Sequence, residues 1–341
     1  MPVRQSGARG DGPTAGVLRG PGWLPVGRGW HVPADTPRTP EQRAYEVGAR
    51  LRPGTALLTG WAVLRLAGAS YFEGLGEDRR TPLPVPVLLA HEARLRGPEV
   101  IVERTRLPLP QAVTRAGVPC VPSELALLHE VRRAVSARRA GVMVDMALAA
   151  GVVDLDRLRE VARTQRRLPA AASYALDRAC AECRSPRESD MLQVWESVAG
   201  FPRPLMNREV RDLAGRLLAV VDLLDVEAGV CGEFNGAAHR SAARQSRDEK
   251  RHASLRGAGL ETFVVVGSDP ERVQVERMAA ARARATWAPP DQRRWHVGAF
   301  VPAPPLVVRD VHEAERDAVM LQHYAALDAR RAGEPSGRSG P

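Results

Sequence analysis

From Ser185 onward the chain carries an order of patterns that few folds can accommodate. A helix opens at Ser185 and reads as 186–199, stopping at Gly200, with Pro202 and Pro204 forbidding its continuation. Three strand-like runs follow: MNREVRDL (206–213), RLLAVVDLLD (216–225) and GVCGEF (229–234). A polar, basic helix then spans 246–257. An apolar run, LETFVVVG (260–267), leads into an Arg/Ala-rich helix over 270–286. The order is α-β-β-β-α-β, and the last strand, with no polar alternation, is expected to be buried on both faces.

The chemistry concentrates in one predicted hairpin. Residues 226–229, Val-Glu-Ala-Gly, are a turn signal between two strands. If Glu227 and Ala228 are the central turn residues, pairing sets Asp222 opposite Glu233. Directly opposed residues have Cβ atoms about 5 Å apart, so the two carboxylates are placed to grip one divalent ion, Mg²⁺ or Mn²⁺, through oxygen. Asn235 falls on the same strand face as Glu233 by the period of two. Gly236 then breaks the strand, with His239 just beyond.

These residues resemble a known family. SPRES (185–189), Asp222, GEFNGAAH (232–239) and RDEKRHASLRGAG (247–259) are similar to the Vsr-like endonuclease-domain proteins, a large actinobacterial set within the PD-(D/E)XK nuclease superfamily. The pattern is Ser-x-x-Glu-Ser at a helix start, an Asp on a strand, Glu-Tyr-Asp-Gly-x-x-His, then Asp-x-x-Arg-x-x-x-Leu-x-x-x-Gly. Ser185, Glu188, Asp222, Glu233, Gly236, His239, Asp248, Arg251, Leu255 and Gly259 stand at those positions. The resemblance covers about a hundred residues. It implies a restriction-endonuclease-like core, Asp222 and Glu233 as metal ligands, and His239 as an acid/base or a phosphate contact. Its implied activity is Mg²⁺-dependent hydrolysis of DNA, in a setting such as phage defence or DNA repair. Two departures stand out: Asn235 replaces an Asp, and the superfamily's catalytic lysine is missing from its place. Lys250, the chain's one lysine, reads either as a substitute reaching in from the following helix or as a solvated helix residue. The rival reading is a catalytically degenerate nuclease fold serving as a DNA-binding or antitoxin-like regulator.

Single residues have plainer readings beside the functional ones. Ser185 and Glu188 make a capping box, which accounts for Glu188 without a metal. Asp248, Arg251 and His252 share one helix face, as a solvated salt bridge or as phosphate contacts. Residues 239–256 hold six Arg/Lys against two Asp/Glu, so Arg240, Arg244, Arg247, Lys250 and Arg251 form the expected DNA-contacting patch.

Ahead of this region the order of elements is different, which places a boundary between about Gln165 and Ser185. The 341 residues suffice for two domains. Residues 1–16 are Gly/Arg-rich and expected to be a disordered arm. Residues 17–33 read as a hairpin or wing. Helices are expected at Thr39 (with Gln42 completing a capping box), over 58–67, from Ser123 through Val135, over 140–150 and over 155–165. Strands are expected over 84–90, 99–107 and 118–121. GPGWLPVGRGWHVP, LLTGWAVLRLAGA and GVPCVPSELALLHEV resemble the AbiEi-type antitoxin-like region that often precedes this nuclease domain. The resemblance spans 17–170, with the wing present and the helices before it cut short. The fold class is thus α+β: an α+β N-terminal domain, a nuclease-like core over 185–286 and a partly disordered tail over 287–341 with one helix over 312–331.

Net charge is +9 with a sequence pI near 10.3, which suits a polyanionic partner, DNA above all. All but one of the 49 basic residues are arginine, a bias that a GC-rich genome would also produce. No apolar run approaches the ~20 residues of a membrane span, and the first residues lack the apolar stretch of a secretory signal. Four scattered cysteines suit a reducing cytoplasm, and Cys180 and Cys183 read as two unlinked cysteines one helical turn apart.

Overall fold

The computed structural model describes residues 3–4, 13–27, 29–76, 78–235 and 242–302, the side chains of 3–4 and 242–248 excepted. The chain is α+β and divides into two units, Met1–Ala179 and Cys180–Pro341.

In the first unit a five-stranded sheet runs in the order Val100–Thr105, Val85–Ala90, Ala56–Leu58, Val118–Cys120, Val113–Arg115. The middle strand, Ala56–Leu58, is fully buried. It lies where a helix was expected to begin; the helix starts at Gly60 instead and ends at Leu66. A smaller sheet pairs Trp23–Gly27 and Trp30–Pro33 as the expected hairpin and adds Val3–Arg4, inside the stretch expected to be an arm. Thr39 caps the helix Pro40–Gly48 through the Gln42 N–H. Gln42 does not return the contact; its amide donates to Glu46 at 3.1 Å. Ser123 is the first residue of the helix Ser123–Val131 rather than its cap, a place taken by Pro122, and its hydroxyl accepts from Arg115 at 2.8 Å. That helix also stops four residues short of Val135, which is exposed. The helix Ala170–Asp177 and the strand Val113–Arg115 were not foreseen.

The second unit begins with Cys180 and Cys183, both buried and flanking a turn rather than lying in a helix. Its elements are α1 (Pro186–Ser197), β1 (Leu205–Asp212), β2 (Leu217–Asp225), β3 (Val230–Asn235), α2 (Ala242–Gly257), β4 (Glu261–Val266), α3 (Glu271–Arg284) and β5 (Trp295–Phe300). Ser185 caps α1 by accepting the Glu188 N–H. The sheet order is β4-β3-β2-β1-β5, with β3 and β4 parallel and the other neighbours antiparallel. β2 lies between two strands and is buried along its length except at Asp222. It is β2, not β4, that meets apolar surface on both faces; β4 lies at the edge of the described sheet and alternates between buried and half-buried. β5 was missed: WHVGAF pairs with β1 in the stretch read as an irregular tail. The expected helix over 312–331 lies outside the described residues.

Two local features shape the β2–β3 hairpin. Asp225 Oδ1 accepts the N–H groups of Glu227 (3.1 Å) and Ala228 (3.2 Å), and Gly229 closes the turn at φ 75°, a value a glycine adopts without strain. Asp225 Oδ2 takes the Arg282 guanidinium at 2.8 Å. One strand over, Phe263 of β4 packs so close to Gly232 that a Cβ there would lie 2.3 Å from the ring. Phe263 in turn stacks on the wholly buried Trp195 of α1, centroids 5.9 Å apart. Gly232 is small so that β3 can carry this aromatic pair beside Glu233.

Candidate functional site

The β2–β3 ladder pairs Asp225 with Val230, Leu224 with Cys231 and Leu223 with Gly232. One step further along this register stand Asp222 and Glu233, the two carboxylates the turn signal had placed opposite each other. At that step Asp222 Oδ2 accepts the Phe234 backbone N–H at 2.8 Å. On its other side β2 pairs with β1, and the pairs Met206–Leu223 and Arg208–Val221 set Asn207 opposite Asp222. Asn207, Asp222 and Glu233 therefore lie in one row across three strands.

Each carboxylate has its own cation. Arg184, just ahead of α1 and almost wholly buried, puts Nη2 3.2 Å from Asp222 Oδ1. Its backbone N–H donates to Glu188 Oε2 at 2.9 Å. Glu188 also accepts from Ser185 Oγ on Oε1 (3.1 Å) and from Asn207 Nδ2 on Oε2 (2.7 Å). The capping box is thus half made in the usual way: Ser185 receives the Glu188 N–H, while the Glu188 carboxylate spends Oε2 on Arg184 and Asn207. Glu233, buried in the sheet with 6% of its surface exposed, takes both Arg251 and His252 of α2 on Oε2, the histidine at 3.1 Å. Its Oε1 is buried with no hydrogen-bond partner among the described residues.

Burial pushes the Asp222 carboxyl up to about 7, helped by the negative charge of Glu188 and then of Glu233, against the pull of Arg184 and the Phe234 N–H. A carboxyl so placed is poised between its two protonation states near neutral pH. Among the described residues no three His, Cys, Asp or Glu side chains are grouped so as to hold a metal ion.

The other expected site residues fall as follows. Asn235 ends β3, half-buried. Lys250 is exposed on α2, the position of a solvated lysine. Arg251 is turned onto Glu233, so it reads as an ion-pair partner of the cluster rather than as part of an open basic face. His239 and Arg240 lie outside the described residues; Arg244 and Arg247 fall on α2, and Asp248 with them, where side chains are not described. Arg184 and Asn207 were not singled out from the sequence. For Arg184 the only signal is its place next to a helix cap; for Asn207 it is an amide side chain inside a strand, where such residues are depleted.

No protein-family model, no curated protein and no solved structure matches this chain. No helix among the described residues is long and apolar enough to cross a membrane.

Proposed function

We propose that the second unit is a divalent-cation-dependent nuclease that hydrolyses phosphodiester bonds in DNA on a restriction-endonuclease-like core. The observation that carries this reading is Glu233 Oε1, buried and without a donor among the described residues, directly opposite a second carboxylate in the register of the same hairpin. A buried charged oxygen left bare is costly, and a cation offsets that cost. The donors on hand fit a hard cation such as Mg²⁺ or Mn²⁺: Asp222 and Glu233 would hold it, and two protein carboxylates suffice where water and phosphate supply the rest. When bound, such an ion acidifies a water molecule and neutralises charge developing on a phosphate. The chain's own groups orient and balance. The Phe234 N–H fixes one oxygen of Asp222, while Arg184 and Arg251 bring positive charge to the place a phosphate would enter. Arg240, Arg244, Arg247 and Lys250 belong to a basic stretch suited to the DNA backbone, with His239 beside them as an acid/base or phosphate contact.

A second reading rests on the same ion pairs. Arg184 and the Arg251–His252 pair already neutralise Asp222 and Glu233, and Asn235 replaces a carboxylate. A regulator that binds DNA and keeps the nuclease fold as a scaffold has these features too. Supercoiled plasmid incubated with Mg²⁺ or Mn²⁺ separates the two. Nicking by the wild type that Asp222→Asn abolishes supports the nuclease; retention of plasmid without nicking supports the regulator.

A further inference from the structure

The turn that opens the second unit brings two thiols together. Ala181 and Glu182 form it, Ala181 exposed, with the buried Cys180 and Cys183 at its two ends. The Cα atoms at the ends of such a turn lie within about 7 Å of each other, and a disulfide spans about 4.4–6.8 Å. The turn is held from β1: the Asn207 amide donates to the Glu182 carbonyl at 2.7 Å, and the Arg208 guanidinium pairs with the Glu182 carboxylate. Cys183 hydrogen-bonds Cys180, so the two side chains meet as well as the two backbones. That hydrogen bond pulls the Cys180 thiol down from an ordinary 9.0 to about 7, against its burial. The Glu182 N–H and the charge of Arg203 act in the same direction, and the Glu182 carboxylate acts against them. The other two cysteines behave in the opposite way. Burial pushes the Cys120 thiol up to about 11 and pushes Cys231 up as well, so both stay protonated. A favoured thiolate with a second thiol against it is the arrangement of a sulfur that meets an oxidant and a partner that resolves it.

We propose that Cys180 and Cys183 are a redox-active dithiol that hydrogen peroxide closes to a disulfide across the turn. The Cys180 thiolate attacks one oxygen of the peroxide and the O–O bond breaks. Cys180 becomes a sulfenic acid, and the hydroxide that leaves takes up a proton to become water. Cys183 then attacks the Cys180 sulfur, the S–O bond breaks, and a second water departs with the Cys183 proton. Two thiols and one peroxide thus give one disulfide and two waters, the sulfurs losing the two electrons that the peroxide gains. Arg184, the partner of Asp222, is the next residue along, so the modification lies beside the candidate site without depending on what that site does.

The full chain, reduced and then freed of reductant, is exposed to hydrogen peroxide, denatured with iodoacetamide present and mapped by peptide mass. Arg178 and Arg184 bracket the pair, so trypsin releases both cysteines in one peptide. That peptide should be unalkylated and lighter by two hydrogens than its reduced form, and dithiothreitol should reverse the change. Cys120 and Cys231 should remain alkylated, reacting with peroxide at least about tenfold more slowly than the pair. Cys183→Ser should leave a sulfenic acid on Cys180, trapped by dimedone, and Cys180→Ser should leave Cys183 reduced. Should a variant not fold, the wild-type map decides alone. Three results overturn the proposal: a pair that stays alkylated, four cysteines that oxidise at similar rates, or a Cys180 carried to the sulfinic acid with Cys183 still alkylated.

Discussion

Asp222 and Arg184 form an ion pair, Oδ1 to Nη2 3.2 Å, between the middle strand of the sheet and the residue that precedes the cap of α1. The guanidinium is nearly buried and the carboxyl only slightly exposed. Even with that partner, burial and the neighbouring carboxylates keep the Asp222 carboxyl well above the usual range.

Charge at Asp222 should therefore cost stability in metal-free buffer. The folded chain keeps the Asp222 proton up to about pH 7, whereas an unfolded aspartate releases it near 3.8. Folding gains from this group at low pH and loses that gain as pH rises through the interval between the two values. At 1.36 kcal/mol per unit the loss amounts to at most about 4 kcal/mol, part of which the stranding of Arg184 takes back in a variant. Asp222→Asn should melt at a higher temperature than wild type at pH 8, with the difference shrinking toward pH 4. Thermal melts across that range check it, and a gap that widens as pH falls contradicts it.

The first unit should be sensitive to acid through His129. Burial pushes this imidazole down to about 4, and its Nδ1 lies 2.8 Å from Thr59 Oγ1. Between pH 6.5 and 4 the unfolded chain takes up a proton that the folded chain refuses, so stability present above pH 6.5 is lost as pH falls through this window. The loss approaches about 3 kcal/mol. His129→Gln should flatten that part of the pH–stability curve of the first unit, measured by hydrogen exchange at the helix Ser123–Val131. An unchanged slope would count against the assignment.

Gly232 should tolerate no side chain. The Phe263 ring would lie 2.3 Å from an added Cβ, and overpacking of this kind costs about 1–3 kcal/mol. Gly232→Ala should lower the denaturation midpoint, and Phe263→Leu in the same chain should restore part of the loss, since the shorter side chain vacates the space. Equal midpoints for wild type and Gly232→Ala would show that the ring moves aside freely.

The hairpin was legible because it rests on local chemistry: Asp225 and Gly229 build the turn, and the register from it carries Asp222 to Glu233. The helix starts at Thr39 and Ser185 were legible for the same reason. The apolar run of β4 misled, since Phe263-Val-Val-Val could serve an edge strand under α3 as well as a central one. β5 was hidden because WHVGAF lacks a run of β-branched residues and follows prolines; only pairing to β1 makes it a strand. The cations of the site were least legible. Arg184 and Arg251 are two of 48 arginines, and which of them reaches a carboxylate depends on side-chain directions that only the folded sheet and helix set. Asn207 has a left-handed backbone inside a strand, φ 52°, a conformation that sequence periodicity does not encode.

The proposal that Asp222 and Glu233 hold a divalent cation stands or falls on melting curves recorded with and without Mn²⁺. A ligand that binds only the folded chain raises its stability by mass action, by about 2.7 kcal/mol at a hundred times its dissociation constant. Wild type should melt several degrees higher with saturating Mn²⁺, and Asp222→Asn, though more stable than wild type in chelator at pH 8, should not respond. A wild-type melting curve that Mn²⁺ leaves unmoved, or an Asp222→Asn curve that rises as much as the wild type's, would contradict the claim.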